Sequence, residues 1–427
     1  MEGGAVDAAS YLLEHAWVDG ELRREVAVTV RGGRFTAVGG APAPEALRLP
    51  GLTAPGLANV HSHAFHRALA AWLPPTGTAA AWRRRRAELV ARLDPDGYRA
   101  LATAVFREMV AAGVTSVGEF HSLHHQPDGV PYDEPNVMGL ALVEAARDAG
   151  VRIALLDSCH LTDGIGTPVD GPARRFSDGS AEGWQERADE LTADVGGDVV
   201  VGAAIGSARS VPLDDMRLVA EWADRFETPL HVHVSATRAE NDELFEVYGR
   251  TPTELLAEAG VLTDRTTVVH ATHLVETDLV RLGAASCTAC LCPGSERLLG
   301  EGTVPVATLR GAGIRTVLGT GDDGSVDVRS GLPVLEDDPR TVAAATVDGH
   351  AALGFTDAGR IAVGYRADLL TLEVPDPADA PVTAALLGAA PVVQVVVGGR
   401  VRHRAGDEAA VRRERERVVA DLWRRQA

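Results

Sequence analysis

Two pairs of histidines, each with one residue between them, carry the clearest chemistry in this chain: His61-Ser62-His63 and His231-Val232-His233. On an extended backbone residues i and i+2 point to the same side, so both imidazoles of a pair can reach one cation. A third cluster, His270-Ala271-Thr272-His273, ends another apolar run. Imidazole nitrogens suit zinc or iron. A catalytic zinc holds about three protein ligands and keeps one position for water, which then loses a proton near neutral pH. A carboxylate must accept that proton, and an acid must protonate a leaving nitrogen. Glu119 and His121, at the end of another strand-like run, are candidates for acid/base work in a site of this kind.

Composition narrows the chemistry. The chain has no lysine, which excludes Schiff-base catalysis and a carboxylated lysine bridging two metals, so one divalent ion per chain is the expectation. A formal net charge of −19 argues against a nucleic-acid or anionic-membrane surface. Cys159, Cys287, Cys290 and Cys292 lack the second ligand pair of a structural zinc site and read as small buried strand residues. No signal peptide opens the sequence and no apolar run reaches the roughly 20 residues of a membrane span, so a cytoplasmic location is expected.

The elements that must position these residues form an α/β alternation. Strand-like Leu57–Val60 delivers His61 and His63. Thr115–Glu119, Arg152–Asp157, Val199–Ile205, Pro229–Val234, Thr266–His270, Cys287–Cys292 and Arg315–Gly319 follow, separated by helical patterns. This order predicts a parallel (β/α)8 barrel whose C-terminal strand ends converge on one mouth. Short strands with glycine turns, Val26–Val30, Arg34–Val38 and Leu47–Leu49, precede it. A turn and strand near Arg360–Leu370, then Val392–Val397, follow it. We therefore divide the chain into residues 1–54 and 356–405, two parts of one small β-sandwich, residues 55–355 as the barrel, and residues 406–427 as a helical tail. The arginine/glutamate mix of that tail predicts a solvated face.

Several runs resemble formimidoylglutamate deiminases of the amidohydrolase superfamily: His61-Ser62-His63-Ala64-Phe65-His66-Arg67-Ala68, Gly113–His121 with His124-His125, His270–His273, and Leu291-Cys292-Pro293 followed by Glu296. The likeness runs from about residue 50 to about residue 400. It implies a TIM-like amidohydrolase barrel with a small β-sandwich, one divalent metal (zinc, with iron as the other candidate), and hydrolysis of a C–N bond in a small formimino, amidine or amide substrate. It implies His61, His63 and His233 as metal ligands and His270 near the attacked carbon. His66, Arg83 and His121 are assigned to the substrate, Arg83 by matching an arginine that holds a substrate carboxylate. Arg209, at a strand end, is the stronger anion-binding candidate, while Arg84 and Arg86 read as a solvated helix face. The partner is thus a small molecule, carboxylate-bearing by this likeness, and a homodimer is the implied assembly.

Other positions depart from the family pattern. Ala236 stands where the family has its glutamate, and Gly321 where its metal-binding aspartate stands. Ser122 replaces a tyrosine and Gly206 a histidine. Each lost acid/base group costs about 10²–10⁴-fold in rate. Asp322, one residue past the expected aspartate, is the candidate fourth ligand and catalytic carboxylate. In a regular strand that shift turns the side chain away, whereas a bulge at the strand end re-aims it. Asp323 is the poorer candidate. The departures leave two alternatives to a working hydrolase: a repurposed or non-hydrolytic relative on a different substrate, or a binding protein without metal chemistry.

Overall fold

The computed structural model describes residues 8–69, 79–302, 306–322, 324–335, 339–374, 383 and 390–425. Its centre is an eight-stranded parallel sheet of β5 (Leu57–Ser62), β6 (Val114–His121), β7 (Arg152–Cys159), β8 (Val199–Ile205), β9 (Leu230–Val234), β10 (Thr266–His270), β11 (Thr288–Leu291) and β12 (Arg315–Leu318). These are the eight segments expected from sequence. Nearly every residue of these strands is buried, the mark of parallel strands covered on both faces.

The last edge closes just beyond β12. Thr320 N–H and Gly321 N–H both donate to His61 O, at 2.9 and 3.0 Å. The Asn59 side chain donates to Thr320 Oγ1 at 3.0 Å and accepts from Thr320 N–H at 3.1 Å. Closure therefore ties the strand that carries the first histidine pair to the turn that carries Asp322. Local signals set the helices around the barrel. Asp94 caps helix Pro95–Ala111 by accepting from Gly97 N–H at 2.7 Å, with Pro95 in the first turn. Helix Val137–Ala149 stops on Gly150, whose φ of 75° suits a residue without a β-carbon.

Both chain ends meet in one small domain, but as a single hydrogen-bonded sheet of seven strands. Its strands are β1 (Ala9–Val18), β2 (Glu21–Arg31), β3 (Arg34–Val38), β4 (Leu47–Pro55), β13 (Leu369–Leu372), β14 (Val392–Val397) and β15 (Arg400–Arg404), in the order β15-β14-β13-β4-β1-β2-β3. The expected sandwich is thus one continuous sheet closing over a core of its own, which includes Leu13, Phe35, Leu49, Leu369 and Val396. β1 escaped the sequence reading. β4 runs through Pro55, one residue past the boundary set there, because its partner β13 pairs it as far as Leu369↔Pro55.

Helix Glu408–Arg424 forms the tail. It is not simply solvated. Arg415 pairs with Glu108 at 3.2 Å, Arg425 with Asp94 at 2.7 Å, and Trp423 Nε1–H donates to Ala68 O at 3.3 Å. Glu414 and Arg415 dock it on helix Pro95–Ala111, while Arg412, Arg413, Glu416, Arg417, Asp421 and Arg424 form the exposed face. Among the described residues no helix is long and apolar enough to cross a membrane.

Candidate active site

The mouth of the barrel gathers His61, His63 and His233, whose ligand nitrogens lie within 4.8 Å of one another. His61 Nε2 and His233 Nε2 are 3.0 Å apart. Two nitrogens on one tetrahedral zinc, each about 2.0–2.1 Å from it, stand about 3.3 Å apart, so the spacing fits one shared ion. Protonation fits as well. Burial, reinforced by the neighbouring imidazoles, holds His61 well below its ordinary value. Burial likewise holds His63 low against the pull of Asp322, and brings His233 down to about 3. Three neutral imidazoles with converging lone pairs, two of them with a buried Nδ1 that has no partner, are a donor set for a divalent cation.

Asp322 reaches this group from the side. Its Oδ1 lies 3.8 Å from His63 Nε2 and 2.9 Å from His66 Nδ1. His63, His66 and Asp322 form a second set with ligand spacing that shares His63 with the first. The turn at Gly321 makes this possible. Its φ is +61°, and a β-carbon there would lie 2.9 Å from Cβ of both Cys292 and Ser295. A left-handed glycine lets the chain turn so that the next carboxylate faces the histidines instead of the opposite side. Burial pushes the Asp322 carboxyl up, but His63 and His66 outweigh it and hold the group well below its usual range. Asp323 lies outside the described residues.

His270 sits in a charged corner. Its own φ is +71° and that of Ala271 is +53°, a strained pair at the end of β10. Its ring stacks on His233 with centroids 5.4 Å apart. Nδ1 lies 3.6 Å from both Glu296 and Glu301. Burial pulls His270 down, yet the nearby carboxylates of Glu296, Glu301 and Asp322 prevail and raise it to about 9. It is therefore a cation in the apoprotein. Glu301 is itself pushed up to about 7, chiefly by burial. The space near Ala236 is not empty of carboxylate either: Glu240, one helical turn later, accepts Ala236 N–H at 2.9 Å.

In front of the histidines lies a cavity of about 250 Å³ lined by His63, His66, Phe120, His233 and Asp322 together with Trp82, Arg86, Phe176, His160 and Asp163. Ser122 and Gly206 line it too. Arg86 is its cation. The guanidinium lies 4.7 Å from the Phe176 ring centre, and Nε donates to His66 Nε2 at 3.3 Å. Among the described residues no carboxylate comes within ion-pairing reach of it. Since His66 accepts on Nε2, its proton sits on Nδ1 and faces Asp322. Arg86, His66, Asp322 and His63 thus make a continuous chain from the cavity wall to the histidine cluster.

The family model described as "Amidohydrolase family" matches residues 52–402. The chain belongs to the amidohydrolase family. It is similar to a formimidoylglutamate deiminase of Pseudomonas aeruginosa, with 32% identity over 362 residues, 79% of this chain and 80% of the relative. It is also similar to a 5-methylthioadenosine/S-adenosylhomocysteine deaminase of Natronomonas pharaonis, with 28% identity over 87% of each chain. The crystal structure of an amidohydrolase from Brucella melitensis superposes with a TM-score of 0.88 and 25% identity, over 97% of this chain and all of the other. With these relatives, the chain is a hydrolase acting on C–N bonds outside peptides.

Of the expected substrate contacts in this amidohydrolase, His66 lines the cavity, while Arg83, His121 and Arg209 do not. Arg83 is exposed on helix Ala79–Val90 and does not line the cavity; Arg86 does. Trp82 and Arg86 are four apart on a helix and so share a face, a signal present in the sequence that assigns Arg86 inward and Arg83 outward. Arg209 also misses the mouth: its Nε pairs with Glu243 at 2.7 Å and its side chain is 41% exposed. His121 lies behind the wall, against His124 and Tyr98, and does not line the cavity. With His124 and Asp157 it has metal-ligand spacing. There, however, Arg187 and the Trp184 N–H already occupy Asp157 at 2.7–2.9 Å, so a guanidinium stands in the place of a cation. Glu119 accepts Ala64 N–H at 2.6 Å and anchors the turn after His63. Burial raises its carboxyl to about 8. Arg86, read from sequence as part of a solvated helix face, instead lines the cavity, because its position four residues after Trp82 turns it inward; Glu301 and Glu240 are site groups that the sequence reading did not single out.

Proposed function

We propose that this amidohydrolase uses one divalent metal, zinc by its donor set, to hydrolyse a C–N bond in a small carboxylate-bearing formimino, amidine or amide compound, with release of ammonia or an amine. The observation that carries this reading is the convergence of neutral His61, His63 and His233 beside an ionised Asp322, at the back of a cavity whose wall offers the Arg86 guanidinium, with no carboxylate in ion-pairing reach among the described residues. A metal held there supplies Lewis acidity and acidifies water. The chain's own residues do the rest. Arg86 takes the anionic end of the substrate and orients it toward the histidines. Asp322, held by His66, accepts a proton near His63. His270, charged by Glu296 and Glu301, donates one to the departing nitrogen.

Ser122 and Gly206 open the cavity at two points where the resembling family has large polar side chains. Together with Trp82, Phe120 and Phe176, they favour a substrate bulkier and less polar than formimidoylglutamate at that end. The dimeric state implied by the family likeness and the cytoplasmic location expected from the sequence belong to this same reading. The test is metal analysis of protein purified without chelator, with ammonia release measured over a panel of carboxylate-bearing formimino, amidine and amide compounds. One metal per chain, and turnover lost in His233→Ala, is the expected result. Metal-free protein, or ammonia release that survives His233→Ala, overturns it.

A further inference from the structure

A second cavity, of about 430 Å³, lies at the other end of the barrel. It opens where β7 and β8 begin, at Arg152 and Val199, against the turns Gly32-Gly33 and Gly398 of the small sheet. The catalytic mouth uses the C-terminal strand ends, so this cavity is separate from it. Six arginines line it: Arg34, Arg147, Arg152, Arg366, Arg400 and Arg402. Asp198 is the one acid among the described lining residues.

Three of the arginines belong to the joint between sheet and barrel. Arg152, 6% exposed, pairs with Asp368. Arg366 pairs with Asp198 at 2.6 Å and Asp357 at 2.9 Å, and Arg34 also pairs with Asp357. Arg147 and Arg402 differ: among the described residues, neither has a carboxylate within ion-pairing distance. Arg402 lies so close to Gly150 that a β-carbon there would stand 2.5 Å from its Nε. Burial, then repulsion by Arg400, pulls the Arg402 guanidinium down. Burial and Arg366 bring Arg152 down to about 9. Arg147 and Arg402 thus stand beside a paired arginine joint with no carboxylate partner of their own among the described residues, in a chain whose formal net charge is −19. Arg147 and Arg402 are open to solvent, and cations gathered around one cavity against the sign of the whole molecule form a site for an anion from solution.

We propose that this cavity binds a phosphate-bearing small molecule of at least two negative charges, held by the Arg147 and Arg402 guanidiniums with Arg34 and Arg366 behind them. Planar guanidinium forks match phosphate oxygens in pairs, and a cavity of this size holds a diphosphate or a nucleotide. Calorimetric titration of the full chain with pyrophosphate, at ionic strength fixed with sodium chloride, tests this. Saturable binding of one pyrophosphate per chain is expected. Arg147→Gln/Arg402→Gln weakens it at least tenfold, and Arg147→Gln alone, on an exposed helix end, weakens it severalfold. Citrate binds at least tenfold more weakly than pyrophosphate. Arg86→Ala, in the mouth, leaves pyrophosphate binding unchanged. No saturable binding, binding retained in the double variant, or binding lost in Arg86→Ala overturns the proposal. Citrate binding as tight as pyrophosphate binding overturns its phosphate specificity.

Discussion

Replacing Asp322 with asparagine keeps the shape of the side chain and removes its charge. The carboxylate Oδ1 lies 3.8 Å from His63 Nε2. A unit charge at that distance is worth about 1 kcal/mol in water and about 4 kcal/mol at an effective dielectric of about 20. The side chain is 16% exposed, at the lip of the cavity, so the intermediate value of about 2 kcal/mol applies. That is a loss of about 30-fold in affinity for a cation bound at the histidines. It agrees with the roughly 10–100-fold typical of groups that support a metal ligand without touching the metal. The assay is zinc affinity measured by competition with a chromophoric chelator at pH 7.5, with circular dichroism to confirm an intact fold. A change of less than twofold refutes an electrostatic role for Asp322. A loss beyond about a thousandfold refutes the indirect route through His63 and makes Asp322 a ligand in its own right.

Arg86→Ala should weaken a carboxylate-bearing competitive ligand about 10–100-fold, as expected for a lost charged hydrogen bond, while Arg83→Ala stays within twofold; calorimetry on both variants decides between the two arginines. Glu119 gives a pH signature. Its carboxyl is raised to about 8 in the fold, so the folded chain keeps a proton that the unfolded chain sheds above about pH 4.5. Folding stability from this group is therefore full below that pH and falls by roughly 1.4 kcal/mol per unit as pH rises toward 8. Glu119→Gln removes the slope, so urea unfolding should show the variant gaining on the parent between pH 5 and 8; parallel profiles would sink this. Arg187→Met leaves Asp157 and Asp178, which it now pairs at 2.7 and 2.9 Å, buried without their cation. The expected cost is about 3–5 kcal/mol in urea unfolding, and a cost under 1 kcal/mol would contradict it.

The parts of this fold that follow local periodicity are readable along the chain. Parallel strands buried on both faces appear as apolar runs between helical patterns, and all eight barrel strands can be placed that way. The histidine pairs are readable for the same reason, since a spacing of two on a strand fixes the side to which both rings point. Helix phase is equally local, and Trp82 with Arg86 carries it. There the inference failed because a run of four arginines looks solvated when its positions are not separated by face. Arg209 failed differently. A strand-end position fixes where the backbone is, but a long side chain can leave the mouth for a carboxylate such as Glu243 on helix Arg238–Tyr248.

Asp322 shows why the rest of the site depends on structure. Strand alternation turns a residue shifted by one to the wrong face, and that rule holds only while the strand lasts. Here β12 ends at Leu318, and Thr320 and Gly321 are held by His61 O as the barrel closes. At Gly321 the backbone enters the left-handed region, with Cys292 and Ser295 packed where a β-carbon would go. An aspartate at 321 would carry both the positive φ and that overlap. With glycine there, neither cost arises and the carboxylate one residue later faces His63 and His66. The missing family aspartate and the presence of Asp322 at the histidines are therefore one structural change: the glycine that lacks the carboxylate is also the turn that brings the next carboxylate to His63 and His66.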